Sequence, residues 1–572
     1  MKIRISNKNL IILALWIAPL TFLALFYFYP LGSILKIGFL RGEAGVIAPL
    51  LEALASPTVQ DVLRFTIWQA TLSTLLTLLV GLPGAYLFAR FDFRGKSLIK
   101  ALTGIPFVMP TLVVAAAFDT LLGSHGWVNL LLMQLLHLSN PPIQFVNTLT
   151  AILVAHVFYN TTIVLRMVGD FWSHLDPRMG QAAQMLGANR WQALRRVTLP
   201  LLAPAVATAA LLVFIFDFTS FGVILVLGGP RFATLEVEIY YQTISLFDLP
   251  LAASLSVLQL ACTLGLTVAY THLSNRVSRP ISLRPRRYTQ RKLSTWRSRL
   301  LASLLIIFLL TLLVTPLISL AARSFTRLET ERGRNLLNAP RISLDFYREL
   351  GINRRSSLFF VPPSTAIAIS LGYAAATVLL ALCLGLPASW ALTRDRSSTL
   401  NQVLDPLLML PLGTSAVTLG LGFIVALDHP PLNLRASPLL VPLAHTLVAF
   451  PFVVRSLTPA LRSISPRLRQ AAQVMGATPR QVLRYVDLPL VGRAILVAAT
   501  FAFTISIGEF GATALVARPE YPTIPLVIFR KLSQPGALNY GQALALSTIL
   551  MTITGVGMLG IERFRIAEVG EF

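Results

Sequence analysis

Asp217 and Glu509 are carboxylates set inside strongly apolar stretches, LLVFIFDFTSFG and FAFTISIGEFGATA. An acid in such a stretch costs roughly 2.5–3.5 kcal/mol on membrane-insertion scales, so a functional role is the default expectation. Under the internal repeat described below, Asp217 aligns with Ser506, and Glu509 lies three residues further on. On a helix that spacing puts both acids on one face of corresponding segments, where they would flank a path for a cation. The alternative is bracing, because buried polar groups in membrane bundles hydrogen-bond neighbouring helices. His156 and His445 are also related by the repeat and lie in the preceding apolar stretches. A structural role is expected for them, with metal ligation the alternative, and no metal site is assigned. Arg166 and Arg455 lie toward the other end of those stretches, where a long cation reaches the interface or pairs with the loop that follows.

The elements that must position these groups come in two copies. Residues 181 to 200 read QAAQMLGANRWQALRRVTLP and residues 470 to 489 read QAAQVMGATPRQVLRYVDLP, identical at 12 of 20 positions with an offset of 289. An offset that long excludes short-period arrays and means two homologous halves. The same offset pairs Pro177 with Pro466, Phe221 with Phe510 and Gly222 with Gly511.

The halves belong in a membrane. The 572-residue chain is 55% hydrophobic and 13% charged, with mean hydropathy +0.71, too apolar for a soluble surface. Lys and Arg number 48 against 24 acids, a net charge of +24 that in isolation suggests nucleic acid. The cations instead cluster in short loops between apolar runs, as the positive-inside rule requires, so no nucleic-acid partner is expected. Cys262 and Cys383 lie in apolar runs and offer neither a disulfide framework nor a metal cluster. The basic N-terminus leads into an apolar run without a small-residue cleavage signal, and reads as a retained first membrane helix.

Apolar runs of spanning length fall near 9–31, 62–89, 99–122, 149–170, 198–222 and 251–273, then 300–322, 364–393, 402–427, 438–460, 488–516 and 541–561. The expected fold is therefore all-α and polytopic, with about twelve transmembrane helices in two six-helix halves. The domains would be 1–275, a basic cytoplasmic connector at 276–299, and 300–572. Lys2, Arg4 and Lys8 set the start inside. Arg90, Arg94, Lys96 and Lys100, then Arg178, Arg190, Arg195 and Arg196, occupy the next inside loops, whereas 124–148, expected outside, has no Lys or Arg. Residues 274–299 hold nine cations and no acid, and both repeated motifs fall inside as well. The loop at 323–363 fits less well, with eight Arg against four acids on the expected outer side, although the rule weakens for long loops.

In the repeated motif Gln181, Ala182 and Ala183 favour helix, Gly187 allows a bend, and helix resumes before Leu199 and Pro200. Two short helices lying on the cytoplasmic face would present Ala182, Ala183 and Gly187 for close contact with a docking partner. The pattern of an acid, Ala-Ala, Gly and a terminal Leu-Pro is similar to the coupling motif of the membrane subunits of bacterial ABC importers. It is matched by Gln181, Ala182, Ala183, Gly187, Val197, Leu199 and Pro200, and again by Gln470, Ala471, Ala472, Gly476, Val486, Leu488 and Pro489. Both copies carry Gln where the family usually has Glu, which removes a charge from the contact.

The resemblance covers nearly the whole chain and is to the fused form, with two permease halves in one polypeptide, as in ferric iron and thiamine importers. Ser220-Phe221-Gly222, Leu227-Gly228-Gly229-Pro230, Thr234 and Glu238-Ile239-Tyr240 look closest to the thiamine-type permeases, and Gly508-Glu509-Phe510-Gly511-Ala512 is common to both. The resemblance implies a type I ABC importer permease fold in the inner membrane. It also implies two copies of an ATPase subunit docked on the coupling segments, and a periplasmic or lipid-anchored solute-binding protein. Thiamine and ferric iron are the leading solutes.

Gly95-Lys96-Ser97 resembles a phosphate loop, but Arg90 stands where that loop needs Gly, so the chain has no ATPase of its own and no cofactor is expected. Asp92, Arg94, Gly95 and Lys96 resemble a loop signature of twelve-helix secondary transporters, which makes an ion-gradient-driven transporter the alternative reading. A receptor-like or scaffold membrane protein is the third.

Overall fold

The computed structural model describes residues 7–39, 48–277, 290–326, 342–353, 361–394, 399–428, 430 and 432–566. Residues 278–289 of the basic connector and 327–341 and 354–360 of the Arg-rich loop, with Lys2 and Arg4, lie outside the described residues. Eleven described helices are long and apolar enough to cross a membrane. The pair Leu400–Gly413 and Ala416–Ala426, bent by 95°, passes the same test together and brings the number to twelve when counted as one broken span. The expectation of an all-α chain with about twelve spans is therefore met.

Several of the expected continuous runs are broken. The run at 402–427 turns at Pro411 and Gly413, and the Ser415 hydroxyl then caps the next helix by accepting from the backbone N–H groups of Val417 and Thr418. Its counterpart at 99–122 splits into Lys96–Leu102, a tight turn at Pro106–Val108, and Thr111–Leu122. In each case proline removes the N–H that would have continued the helix. The run expected at 488–516 also ends early, because its helix stops at Gly508 and a separate six-residue helix starts at Gly511.

Within each half the second and fourth spans pack closely, and glycine sets the distance. A Cβ on Gly81 would lie 2.7 Å from Val164, and one on Gly385 2.6 Å from Val453, two valines related by the 289-residue offset. Close backbone approach at small residues is how membrane helices gain dispersion contacts when lipid is as apolar as their side chains. The buried layers are Ala85, Ala89, Val164 and Val168 in one half, and Ala381, Ala449, Val453 and Leu457 in the other.

One end of the bundle gathers the basic loops. Phe91–Asp92 pairs in parallel with Arg291–Lys292, joining the first basic loop to the described part of the connector. Arg90 Nη1 donates to the Leu175 carbonyl 3.2 Å away, just before the first repeated motif. Three segments expected inside therefore share one face. A single cysteine placed at exposed Ser294, with Cys262 and Cys383 removed, is expected to resist an impermeant thiol reagent in intact cells and to react after permeabilisation. Rapid labelling of intact cells would overturn the topology of the second half.

Candidate functional site

Each repeated motif folds as helix, tight bend, helix. The first helix is Arg178–Met185 in one copy and Pro466–Val474 in the other. Both end on a glycine in the left-handed region, Gly187 at φ +92 and Gly476 at φ +87. The carbonyls left free at the helix end are taken up by a paired C-cap. Gly187 N–H donates to Gln184 and Ala188 N–H to Ala183; Gly476 N–H donates to Gln473 and Ala477 N–H to Ala472, each at 3.0 Å. That cap requires a left-handed residue at the glycine position.

The second short helix is started by a reciprocal cap. Asn189 Oδ1 accepts from Gln192 N–H at 2.7 Å while Gln192 Oε1 accepts from Asn189 N–H at 2.9 Å. In the second copy Thr478 and Gln481 exchange the same two bonds. A wide-pitch turn, Leu194–Thr198 or Leu483–Asp487, then leads into the long fifth or eleventh span, with Leu199-Pro200 and Leu488-Pro489 at its start. Each rigid hook thus continues directly into a membrane helix.

The hooks present more than the small residues singled out by sequence. Gln181, Ala182 and Gly187 are exposed, as are Gln470, Ala471 and Gly476, whereas Ala183 is half-buried and Ala472 is buried within the hook. The tips carry Met185 and Leu186, 89% and 90% exposed, and Val474 and Met475, 88% and 82% exposed. Apolar side chains thus stand bare at the same place in both copies. They were legible in the sequence as an apolar pair preceding each glycine on otherwise polar helices. The copies are not identical, for Arg469 Nε donates to buried Asp487 at 2.7 Å where the first copy has Gly180 and Thr198.

The two intramembrane acids each lie beside the histidine of their own half. Asp217 Oδ1 accepts from Asn160 Nδ2 at 2.7 Å and lies 3.4 Å from His156 Nδ1, while His156 Nε2 is 2.9 Å from Ser220 Oγ. Glu509 Oε2 lies 3.2 Å from His445 Nε2, and His445 Nδ1 is 2.8 Å from Ser506 Oγ. Sequence reasoning placed both acids on one helix face. Asp217 does lie in the helix Leu199–Phe218, but Glu509 stands beyond the end of its helix. There its carboxylate caps the following helix, accepting from Ala512 N–H at 2.9 Å and Thr513 N–H at 3.1 Å. Gly508 and Gly511 flank the break, and a carboxylate at a helix N-terminus meets unpaired N–H groups. The acid–histidine pairing was missed because these contacts cross between helices separated by dozens of residues. Among the described residues no group of three or more metal-ligating side chains could hold an ion. Arg166 is half-buried and Arg455 exposed.

This arrangement of twin hooks at the feet of twin spans meets a known family. The profile described as "Binding-protein-dependent transport system inner membrane component" matches residues 78–279 and again 381–561. The chain belongs to that family. It is a fused permease with two family units in one polypeptide, and a multi-pass protein of the inner membrane. The thiamine transport system permease protein ThiP of Escherichia coli K12 is 28% identical over 510 residues, covering 86% of this chain and 88% of the relative. ThiP of Haemophilus influenzae is 26% identical over 554 residues, covering 96% of each. A probable ABC transporter permease, y4fN of Sinorhizobium fredii, is 27% identical over 579 residues, covering 98% and 97%.

Proposed function

We propose that this permease imports thiamine, delivered by an external binding protein, using ATP hydrolysed by two separate ATPase subunits seated on the two hooks. The pair of exposed tips, Met185-Leu186 and Val474-Met475, on rigid bends that run into membrane helices carries the docking part of this reading. The thiamine permeases that align along most of the chain support the solute. Each hook would fill a cleft of one ATPase subunit, so closure of the ATPase dimer swings the fifth and eleventh spans and rocks the halves against each other. The ion pair Arg469–Asp487 stiffens only the second hook, so the two ATPase contacts are expected to differ in strength.

Labelled thiamine and labelled ferric iron, offered in parallel to cells expressing the permease with its ATPase and binding protein, test the solute. Thiamine is expected to accumulate and ferric iron not. Accumulation should stop when the ATPase is omitted, and the purified chain alone should turn over no ATP. Uptake of ferric iron alone would replace the solute, and thiamine uptake without the ATPase would refute the ABC mechanism.

A further inference from the structure

The two halves meet at a seam of four aromatic rings. Phe221 stacks on Phe510 with centroids 5.5 Å apart and planes at 21°. Phe221 also contacts Tyr240 at 5.3 Å, and Phe510 contacts Phe529 at 5.2 Å. Phe221 and Phe510 are related by the 289-residue offset, and so are Tyr240 and Phe529, so the seam runs across the pseudo-twofold relation between the halves. The central rings are 7% and 3% exposed and the outer rings are half-buried.

Each central ring is tied to its own half. Phe221 follows Ser220, which bonds His156, and Phe510 follows Glu509, which bonds His445 and caps the next helix. A rocking motion of the halves therefore separates Phe221 from Phe510. A planar ring fits between two others when they stand about 7 Å apart, twice a carbon–carbon contact distance. That is a small opening beyond the 5.5 Å seen here.

A carboxylate lies one helical turn from the seam. Glu236 precedes Tyr240 by four residues on the short helix Leu235–Tyr240, so the two share a face. It is buried at 1% exposure and also bridges the halves, accepting from Gln259 Nε2 of its own half and from the Ser415 hydroxyl of the other. Both donors are neutral, and no basic side chain among the described residues pairs with it. The repeat puts Pro525 at the corresponding place in the second half, so the acid is single. A buried carboxyl held only by neutral donors gains its negative charge when a cation arrives to pair with it, and aromatic faces favour the same cation.

We propose that Tyr240, Phe221, Phe510 and Phe529 form the gate between the halves, and that with Glu236 they receive a planar aromatic cation carrying one positive charge. The solute ring stacks between Phe221 and Phe510 as they part, and its charge is balanced by the Glu236 carboxylate. This rests on the proposed thiamine function, whose thiazolium ring is such a cation, and assigns it a place.

The test is initial uptake of labelled thiamine per assembled complex, in cells supplied with ATPase and binding protein, together with ATP turnover stimulated by the binding protein. Glu236→Gln keeps size and hydrogen bonding but loses charge; Glu236→Asp keeps charge but loses length. A cation receiver is expected to lose at least ten-fold in uptake with Gln and to retain at least a third with Asp, with stimulated ATP turnover kept in both. A structural latch would rank them the other way, and that order would overturn the assignment. Phe510→Leu and Phe510→Tyr form a second pair that leaves the carboxylate untouched. Leu is expected to lower uptake about ten-fold and Tyr to stay within two-fold, and equal uptake by the two would sink the stacking role. No thiamine uptake by the unmodified complex would defeat the proposed solute and the gate together, whereas wrong rankings among active variants defeat the gate alone.

Discussion

Gly187→Glu combined with Gly476→Glu is expected to reduce transport at least a hundred-fold and to release the ATPase from the membrane, while the chain still inserts in normal amount. Both glycines have φ near +90, a conformation that costs other L-residues roughly 1–2 kcal/mol. Nothing lies within 4 Å of a Cβ built at either position, so the new side chains meet open space and not the body of the permease. The internal fold is spared and the damage falls on whatever seats there. A charged side chain beside the Met185-Leu186 and Val474-Met475 tips would bring a carboxylate into a contact built from apolar groups, a burial that costs several kcal/mol when unpaired. Each 1.4 kcal/mol is a factor of ten in affinity, so both hooks together exceed the hundred-fold level. Gly→Asn separates the two causes, because Asn tolerates the left-handed region. The Asn pair should retain more transport than the Glu pair. Co-purification of the ATPase with the permease and uptake in whole cells measure both, and normal transport by the Glu pair would remove the hooks from docking.

Asp217→Asn combined with Glu509→Gln is expected to lower stability by about 1–3 kcal/mol, seen as a lower melting temperature in detergent, with uptake per folded molecule within two-fold of the unmodified protein. The scale follows from interhelical hydrogen bonds in membranes, worth about 0.6 kcal/mol on average and up to about 1.7. Most of the loss should come from position 509. The Glu509 carboxylate accepts from two backbone N–H groups at once, and an amide has only one oxygen to offer them. At position 217 the Asn oxygen can still accept from Asn160, so that change is milder. The opposite pattern, unchanged melting with uptake reduced ten-fold, would move the acids from bracing the bundle to lining the path. The two acids and Glu236 are thereby distinguished by experiment, since charge loss at 236 is expected to act on transport and charge loss at 217 and 509 on the fold.

The sequence alone determined the class of this protein. Hydropathy and the distribution of cations require membrane helices and set their direction, because neither a long apolar run nor a cluster of positive charge has a cheap alternative in a bilayer. The 289-residue repeat fixed two related halves, and the Ala-Ala, Gly and Leu-Pro spacing located both hooks, since helix, left-handed bend and helix start are local properties of adjacent residues. Tertiary structure alone decided what depends on distant partners. The turns at Pro411 and Gly413 were written in residue types, yet only the packed bundle showed a 95° bend in place of a straight span. Ala471 and Ala472 are adjacent and identical in type, yet one is exposed and the other buried. The pairing of Asp217 with His156 and of Glu509 with His445 joins different helices, as does the stacking of Phe221 on Phe510 across the two halves. A repeat can say that two phenylalanines correspond, but it carries no information that they touch. Contact between equivalent residues arises only when the halves fold against each other about a common axis, and that is a property of the packed interface.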